Sequence, residues 1–327
     1  MIRQQIFSIQ NDDDFLSIAL SVFRYQYDNC LIYRCYADML HCDVNKIEHW
    51  EQIPFLPIEF FKTQQIIANG YSPQLQFTSS GTTGKQTSTH YVADKTLYEE
   101  SFLRSFEYFV GQPEEFIILA LLPSYLERDN SSLVYMVQTL ISLTKKKDSG
   151  FYLYNIDEFA EKLQMLSEKQ QKIIIFGVGF ALLDVIAKYQ FNLKNVFVFE
   201  TGGMKGRKTE ISREELHNIL AIGFGVDVIY SEYGMTELLS QAYSMNGQSF
   251  RCPSWMKVVL RDMQDPFSLL TSTNKRGGIN VIDLANLYSC SFIATQDVGK
   301  YLADGSFEVL GRFDYADMRG CNMLYEL

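Results

Sequence analysis

The sequence contains no run of 18 apolar residues, few basic residues and no apolar signal core near its start. Without a long apolar run, no segment is predicted to span a membrane. The 29 Lys and Arg are outnumbered by 39 Asp and Glu, and the net charge of −10 argues against nucleic acid as the main partner, because duplex binding depends on basic patches. Because it lacks a signal peptide core, we expect a cytoplasmic protein.

Cysteine and histidine are too sparse, and wrongly spaced, to predict a metal centre. There are six cysteines and four histidines, and Cys30, Cys35, His41 and Cys42 form the densest group. A structural zinc site normally shows paired ligands at short spacing, with a second pair elsewhere in the chain. The group fits neither spacing, so buried helix cysteines, reduced in the cytoplasm, are the favoured interpretation.

Apolar runs alternate with helical patterns through the middle of the chain. Continuous runs such as Phe116–Leu122, Lys172–Phe176 and Val196–Glu200 are typical of buried parallel strands, and the segments between them show helical periodicity. This alternation predicts an α/β fold with a sheet flanked by helices, whose ligands bind at the carboxyl ends of the strands. We expect four segments: an N-terminal helical region (1–52), an α/β core (53–248), a β-rich subdomain (249–312) and a short tail (313–327).

A hydroxyl- and glycine-rich stretch stands between two predicted strands, Leu75–Thr78 and Thr89–Val92. The six residues before Lys85 comprise four Ser or Thr and two Gly. Glycines allow close backbone approach to a ligand, and successive N–H groups with a lysine can surround an anion, which indicates a phosphate cradle. A flexible surface loop fits the same composition. The spacing is not that of a Walker A loop, which has four residues between its glycines and Ser or Thr after the lysine.

Four further segments, read together with this loop, resemble a known superfamily. SSGTTGK at 79–85 resembles the phosphate-binding loop of acyl-adenylate-forming enzymes, and YGMTE at 233–237 resembles their Y-G-x-T-E motif. TQDVG at 295–299 resembles their T-G-D ribose motif, with Gln296 where glycine is usual, and LGRFD at 310–314 resembles their G-R-x-D hinge. IPFLPIEFFK at 53–62 resembles one subgroup, the long-chain-fatty-acid acyl-protein synthetases of bacterial bioluminescence operons.

The resemblance implies that ATP and Mg²⁺ bind at matching positions. Thr236 would hydrogen-bond the α-phosphate, and Glu237 would hold Mg²⁺, a hard ion that takes one or two carboxylates together with phosphate oxygens. The residues that would cradle the β- and γ-phosphates are Ser79, Ser80, Gly81, Thr82, Thr83, Gly84 and Lys85.

The same resemblance implies an adenosine site. Tyr233, followed by Gly234, would stack near adenine, and Gly202 and Gly203 would form the opposite wall. Asp297 would accept hydrogen bonds from the ribose hydroxyls, and Arg312 would approach ribose or phosphate. A turn aspartate and a surface ion pair are the alternative interpretations of Asp297 and Arg312.

The C-terminal end departs from the wider superfamily. Acyl-CoA ligases carry a lid domain with a catalytic lysine after the G-R-x-D hinge, whereas this chain ends at Leu327, thirteen residues after Asp314. The resemblance therefore implies that the lid is lacking, and that Cys321 accepts the acyl group as in the acyl-protein synthetases. A thiolate attacking an acyl-adenylate is sound nucleophilic catalysis, because AMP is a good leaving group. A buried cysteine in a final strand is the alternative.

Three functions stay open at this point. The first is an acyl-protein synthetase that activates a carboxylic acid, holds it on Cys321 and passes it to a reductase or acyltransferase. The second is a related ligase that uses CoA as acceptor for an aryl or short acid. The third is an inactive protein that binds a nucleotide or acyl group.

Overall fold

A computed structural model describes residues 2–79, 87–122, 130–152, 155–202 and 211–313. They form two compact units: one comprises Ser72–Pro253, and the other combines the chain up to Tyr71 with the chain from Ser254 onward. The N-terminal helices and the β-rich segment, predicted as separate parts, therefore share one unit. The boundaries at residues 52, 248 and 312 remain predictions. Across the described ranges, every helix is too short or too polar to cross a membrane.

The unit Ser72–Pro253 is built on a six-stranded sheet in the order β5-β4-β6-β7-β8-β9. All neighbouring pairs are parallel except β8 and β9, which are antiparallel. β4 and β6 are buried along their whole length, as their uninterrupted apolar sequences predict. The strands are β4 (Ile117–Leu121), β5 (Gly150–Phe151), β6 (Ile173–Gly177), β7 (Val196–Thr201), β8 (Ile229–Tyr233) and β9 (Ala242–Ser244).

Helices in this unit begin at side-chain caps that the sequence supplies. Asp94 accepts from the backbone N–H groups of Thr96 and Leu97, and Ser131 and Ser212 accept in the same way from Val134 and Glu215. The helices are α5 (Lys95–Phe109), α6 (Ser132–Thr144), α7 (Ile156–Glu168), α8 (Gly179–Lys188) and α9 (Arg213–Phe224). The predicted α/β class, with helices against a mostly parallel sheet, is confirmed.

A separate hairpin in the same unit supports the hydroxyl-rich stretch. β2 (Leu75–Thr78) and β3 (Thr89–Val92) pair antiparallel in the register Thr78↔Thr89. Both strands were predicted with these bounds, and their pairing brings Ser79 and Ser88 opposite each other at the base of the connecting segment.

The second unit packs helices against a sheet in the order β1-β13-β12-β10-β11, with β14 also paired to β13. Only the pair of β1 and β13 is parallel among the described strands of this sheet. The strands are β1 (Leu56–Pro57), β10 (Met256–Arg261), β11 (Leu269–Leu270), β12 (Arg276–Asp283), β13 (Phe292–Tyr301) and β14 (Phe307–Arg312). The helices are α1 (Ile2–Ile6), α2 (Asp12–Asn29), α3 (Leu31–Met39) and α4 (Phe60–Thr63).

Three elements have bounds that the sequence patterns do not show. The predicted N-terminal helical region divides at Cys30, whose extended backbone (φ −108°, ψ 102°) ends α2 and precedes α3, and short 3-10 turns follow it. β8 starts at Ile229 and includes Tyr233, the first residue of the YGMTE segment. The TQDVG segment lies inside the ten-residue β13. In both sheets, cross-strand pairing extends the strand beyond its apolar run.

Candidate functional site

Two neighbouring parallel strands end side by side and carry two of the predicted segments. β7 and β8 pair in the register Glu200↔Ser231 and Thr201↔Glu232, so both chains leave the sheet at the same edge. Gly202 follows β7 with a left-handed backbone (φ +69°), a conformation that glycine adopts without steric cost. Gly234 follows β8 and is exposed. The carboxyl edge of the sheet thus brings the Thr201-Gly202 and Gly234–Glu237 segments together, as predicted.

Thr236 is fixed through its backbone by a histidine from the hairpin. His90, on β3, is almost fully buried and its Nδ1 lies 2.9 Å from the Thr236 carbonyl oxygen. Because that carbonyl can only accept, Nδ1 carries the proton and donates. Burial lowers the pKa of His90 to about 4, so the ring is neutral at neutral pH. His90 therefore ties the strand that follows the hydroxyl-rich loop to the segment that carries Thr236.

Glu237 is buried, with 5% of its surface exposed, directly after the half-buried Thr236. Within the described ranges, no three His, Cys, Asp or Glu side chains cluster as a protein-only metal site would require. Mg²⁺ is usually held by one or two protein carboxylates together with the oxygens of a bound phosphate, rather than by a protein-only cluster. Glu237 as the Mg²⁺ ligand remains a prediction.

Glu232 is the second acidic side chain of this segment. Its Oε2 accepts a 2.6 Å hydrogen bond from Thr201 Oγ1 across the β7–β8 pair. The pKa of Glu232 is raised to about 7: burial raises it most, the hydrogen bond from Thr201 lowers it, and the nearby charge of Glu200 raises it. The carboxyl group is therefore largely protonated below pH 7.

Tyr233, predicted to stack near adenine, is buried with its ring centroid 5.8 Å from that of Phe250. Ser79, predicted to cradle phosphate, braces the base of its loop: its N–H donates to the Ser88 carbonyl, and its Oγ accepts from the Ser88 N–H at 2.9 Å. These contacts give each residue a structural partner. Their nucleotide roles remain predictions.

Several predicted site residues lie outside the described residues. They are Ser80, Gly81, Thr82, Thr83, Gly84, Lys85, Gly203 and Cys321. The predicted opposition of Lys85 and Glu237 across one phosphate site therefore remains a prediction.

The two predicted ribose residues are partners in the other unit. Asp297 on β13 and Arg312 on β14 are directly opposite in the strand register, and Arg312 Nε donates to Asp297 Oδ1 at 3.1 Å. Asp297 is buried, whereas the Arg312 side chain is 57% exposed. Gln296, which stands where the resembled motif has glycine, donates through its amide to Glu59 in the IPFLPIEFFK segment. The two ribose candidates thus lie side by side on neighbouring strands.

Sequence reasoning missed two residues of this site, His90 and Glu232. Nothing in the sequence links His90 to Thr236, a residue 146 positions later. For Glu232, the available signal is its position directly before the YGMTE segment and two residues before Gly234.

Comparison with known proteins supports the fold and the family. The family model described as acyl-protein synthetase, LuxE, matches residues 7–326. A search of curated proteins gives no match. A solved 2-hydroxyisobutyryl-CoA ligase in complex with 2-HIB-AMP and CoA is similar in fold, with 10% identity, a TM-score of 0.68, and coverage of 94% of this chain and 71% of the ligase.

A second solved structure, ATP-bound MatB from Rhodopseudomonas palustris, gives 14% identity and a TM-score of 0.52. The match covers 72% of this chain and 47% of MatB, so this chain spans about half of MatB's length. At these identities the two structures support the fold alone. The family model, which covers nearly the whole chain, places this protein in the LuxE acyl-protein synthetase family.

Proposed function

We propose that this protein is an ATP-dependent ligase that activates a carboxylic acid, of the fatty acid class, as an acyl-adenylate and transfers the acyl group to its own Cys321. The observation that carries the proposal is the Gly234–Glu237 segment at the carboxyl edge of the sheet beside Gly202, in a chain of the acyl-protein synthetase family. The similar fold of ATP-bound MatB supports ATP as the nucleotide.

In the proposed first step, a carboxylate oxygen of the substrate attacks the α-phosphorus of ATP. The bond to the β-phosphate breaks, pyrophosphate leaves, and the acyl group is joined to AMP. Thr236 hydrogen-bonds the α-phosphate, and His90, which holds the Thr236 carbonyl, fixes the segment that presents it. The loop 79–85 neutralises the β- and γ-phosphates, and Asp297 and Arg312 bind the ribose. Catalysis of this kind depends on positioning and on electrostatic stabilisation of the phosphate charge.

Mg²⁺ held by Glu237 would supply positive charge to the phosphate oxygens as pyrophosphate departs. The protein's own part is to keep that carboxylate buried at the end of the segment that carries Thr236. In the proposed second step, the Cys321 thiolate attacks the acyl carbon, AMP leaves with the bonding electrons, and a thioester forms. The acyl group then passes to a reductase or acyltransferase.

Intact-protein mass spectrometry with a panel of carboxylic acids, ATP and Mg²⁺ tests both steps. We expect one acyl group to be added to the wild-type chain in the absence of CoA, and none to Cys321→Ser, which should retain acid-dependent ATP–pyrophosphate exchange. Covalent labelling of Cys321→Ser would reject Cys321 as the acceptor. Exchange without any protein thioester, but with acyl-CoA formed when CoA is added, would favour the CoA ligase alternative, and no exchange with any acid would favour an inactive binding protein.

A further inference from the structure

The Glu232 side chain sits between the ends of two strands. One carboxyl oxygen is bonded to Thr201 at the last position of β7, and the other reaches toward Gly234, the first residue after β8. Glu232 thereby connects the two segments whose glycines were predicted to surround the nucleotide.

The observed position of the Glu232 carboxyl group depends on glycine at position 234, although the Gly234 backbone is not left-handed. A Cβ atom built on Gly234 would clash with Glu232 Oε1 and would lie 3.3 Å from Gln241 Cγ. The missing side chain therefore leaves the space that the carboxyl group fills. Any movement of the backbone at Gly234 changes the packing of Glu232, and two residues later the same backbone carries Thr236.

The surroundings of Glu232 favour its protonated form. Among the described residues, the charged or titratable groups that interact with it are Glu200 on β7, Tyr98 on α5 and Tyr243 on β9, and none of these three carries a positive charge. Tyr243 is also its direct cross-strand partner. Gln241, whose stem reaches the same space, has a buried Oε1 with no hydrogen-bond partner among the described residues. A protonated carboxyl group offers the kind of donor that such an oxygen requires.

We propose that Glu232 is a positioning residue of the adenylation site: its carboxyl group, bonded to Thr201 and packed into the space left by Gly234, holds the backbone that presents Thr236 and Glu237. His90 holds the same segment from the hairpin through the Thr236 carbonyl. The inference rests on the proposed function for its catalytic consequence, but the structural restraint itself does not depend on it.

Two substitutions separate the shape of Glu232 from its charge. Glu232→Gln keeps the shape and the acceptor for Thr201 but cannot ionise. Glu232→Leu fills a similar volume but has no hydrogen-bonding group. The assay is acid-dependent ATP–pyrophosphate exchange at pH 6. We expect kcat of Glu232→Gln to stay within about threefold of wild type. We expect kcat of Glu232→Leu to fall about 10- to 100-fold with little change in KM for ATP, because misplaced reacting groups lower rates by that order.

The pH profile adds a readout that a purely structural role would not change. As pH rises from 6 to 8, the wild-type carboxyl group ionises in its confined site, so the ratio of kcat for Glu232→Gln to kcat for wild type should rise. Glu200→Gln is the matched control: it is buried on the neighbouring strand and contacts Ser231 and His217. In Glu200→Gln, kcat should still change with pH as it does in wild type, but at lower pH, because removing a negative neighbour lowers the pKa of Glu232.

Hydrogen exchange keeps this proposal testable if the adenylation activity itself is absent. Glu232→Leu should speed amide exchange in a peptide covering residues 234–241, whereas the separate peptides that cover β4 and β6 should be unaffected. Unchanged exchange at 234–241 together with unchanged kcat would overturn the positioning role. If wild-type protein shows no ATP–pyrophosphate exchange with any acid, the proposed function is refuted. If Glu232→Leu nevertheless speeds amide exchange at 234–241, the restraint by Glu232 still stands.

Discussion

The buried His90 and the half-buried Glu232 should make opposite contributions to the pH dependence of the stability of this unit, and replacing either one should reveal the contribution of the other. The pKa of His90 is lowered from 6.5 to about 4, chiefly by burial. Between pH 6.5 and about 4, the imidazole therefore binds a proton in the unfolded chain but not in the folded chain. The free energy of unfolding consequently falls as pH decreases toward 4. The pKa of Glu232 is raised from 4.5 to about 7, also chiefly by burial. Its contribution is fully present below pH 4.5 and is lost as pH rises toward 7.

The two effects oppose each other over almost the same range. A tenfold shift in a protonation equilibrium corresponds to about 1.4 kcal/mol, so each group contributes at most about 3 kcal/mol between the ends of its range. In the wild-type chain, the contributions of His90 and Glu232 to the change of unfolding free energy with pH nearly cancel between pH 4.5 and 6.5. Glu232→Gln leaves the His90 slope unopposed, and its free energy of unfolding relative to wild type should rise by up to about 3 kcal/mol between pH 4.5 and 7. His90→Asn, which keeps a side-chain donor, should show the reverse slope.

Denaturant-dependent hydrogen exchange of peptides from β7 and β8 measures this difference within the unit that contains both residues. Wild type and variant are compared at each pH, so that contributions from the many other acidic residues cancel. A difference between Glu232→Gln and wild type that is constant from pH 4.5 to 8 would show that the pKa of Glu232 is the same in the folded and unfolded chains, and would refute the reasoning.

Two further predictions concern Asp297 and Gly202. Asp297→Asn removes the charge that pairs with Arg312 and that is proposed to bind the ribose hydroxyls. The KM for ATP in pyrophosphate exchange should therefore rise about tenfold, which corresponds to the loss of one charge-assisted hydrogen bond. An unchanged KM would show that Asp297 does not bind the nucleotide. Gly202→Ala places a side chain in a left-handed conformation and should destabilise its unit by about 1 kcal/mol, seen as a melting temperature lower by a few degrees; a melting temperature equal to that of wild type would show that the backbone adapts at no cost.

Much of the architecture follows from local patterns. The apolar sequences of β4 and β6 identify buried parallel strands, and residues such as Asp94 and Ser212 mark the helix starts by capping them. Strand ends were harder to predict. β8 and β13 continue past their apolar residues because a neighbouring strand is there to accept their hydrogen bonds, and a neighbour is a property of the fold.

The amino-acid sequence by itself determined the α/β class, the family resemblance and the glycines and hydroxyls at the predicted strand ends, because these depend on residue type and short spacing. Only the tertiary structure joined His90 to Thr236 and seated the Glu232 carboxyl group against Gly234 and Thr201. Those contacts depend on which strands lie side by side and on how deeply each group is buried. Burial also sets the charge of both groups, since removing an ionisable side chain from water penalises its charged form, and no spacing in the sequence records that environment.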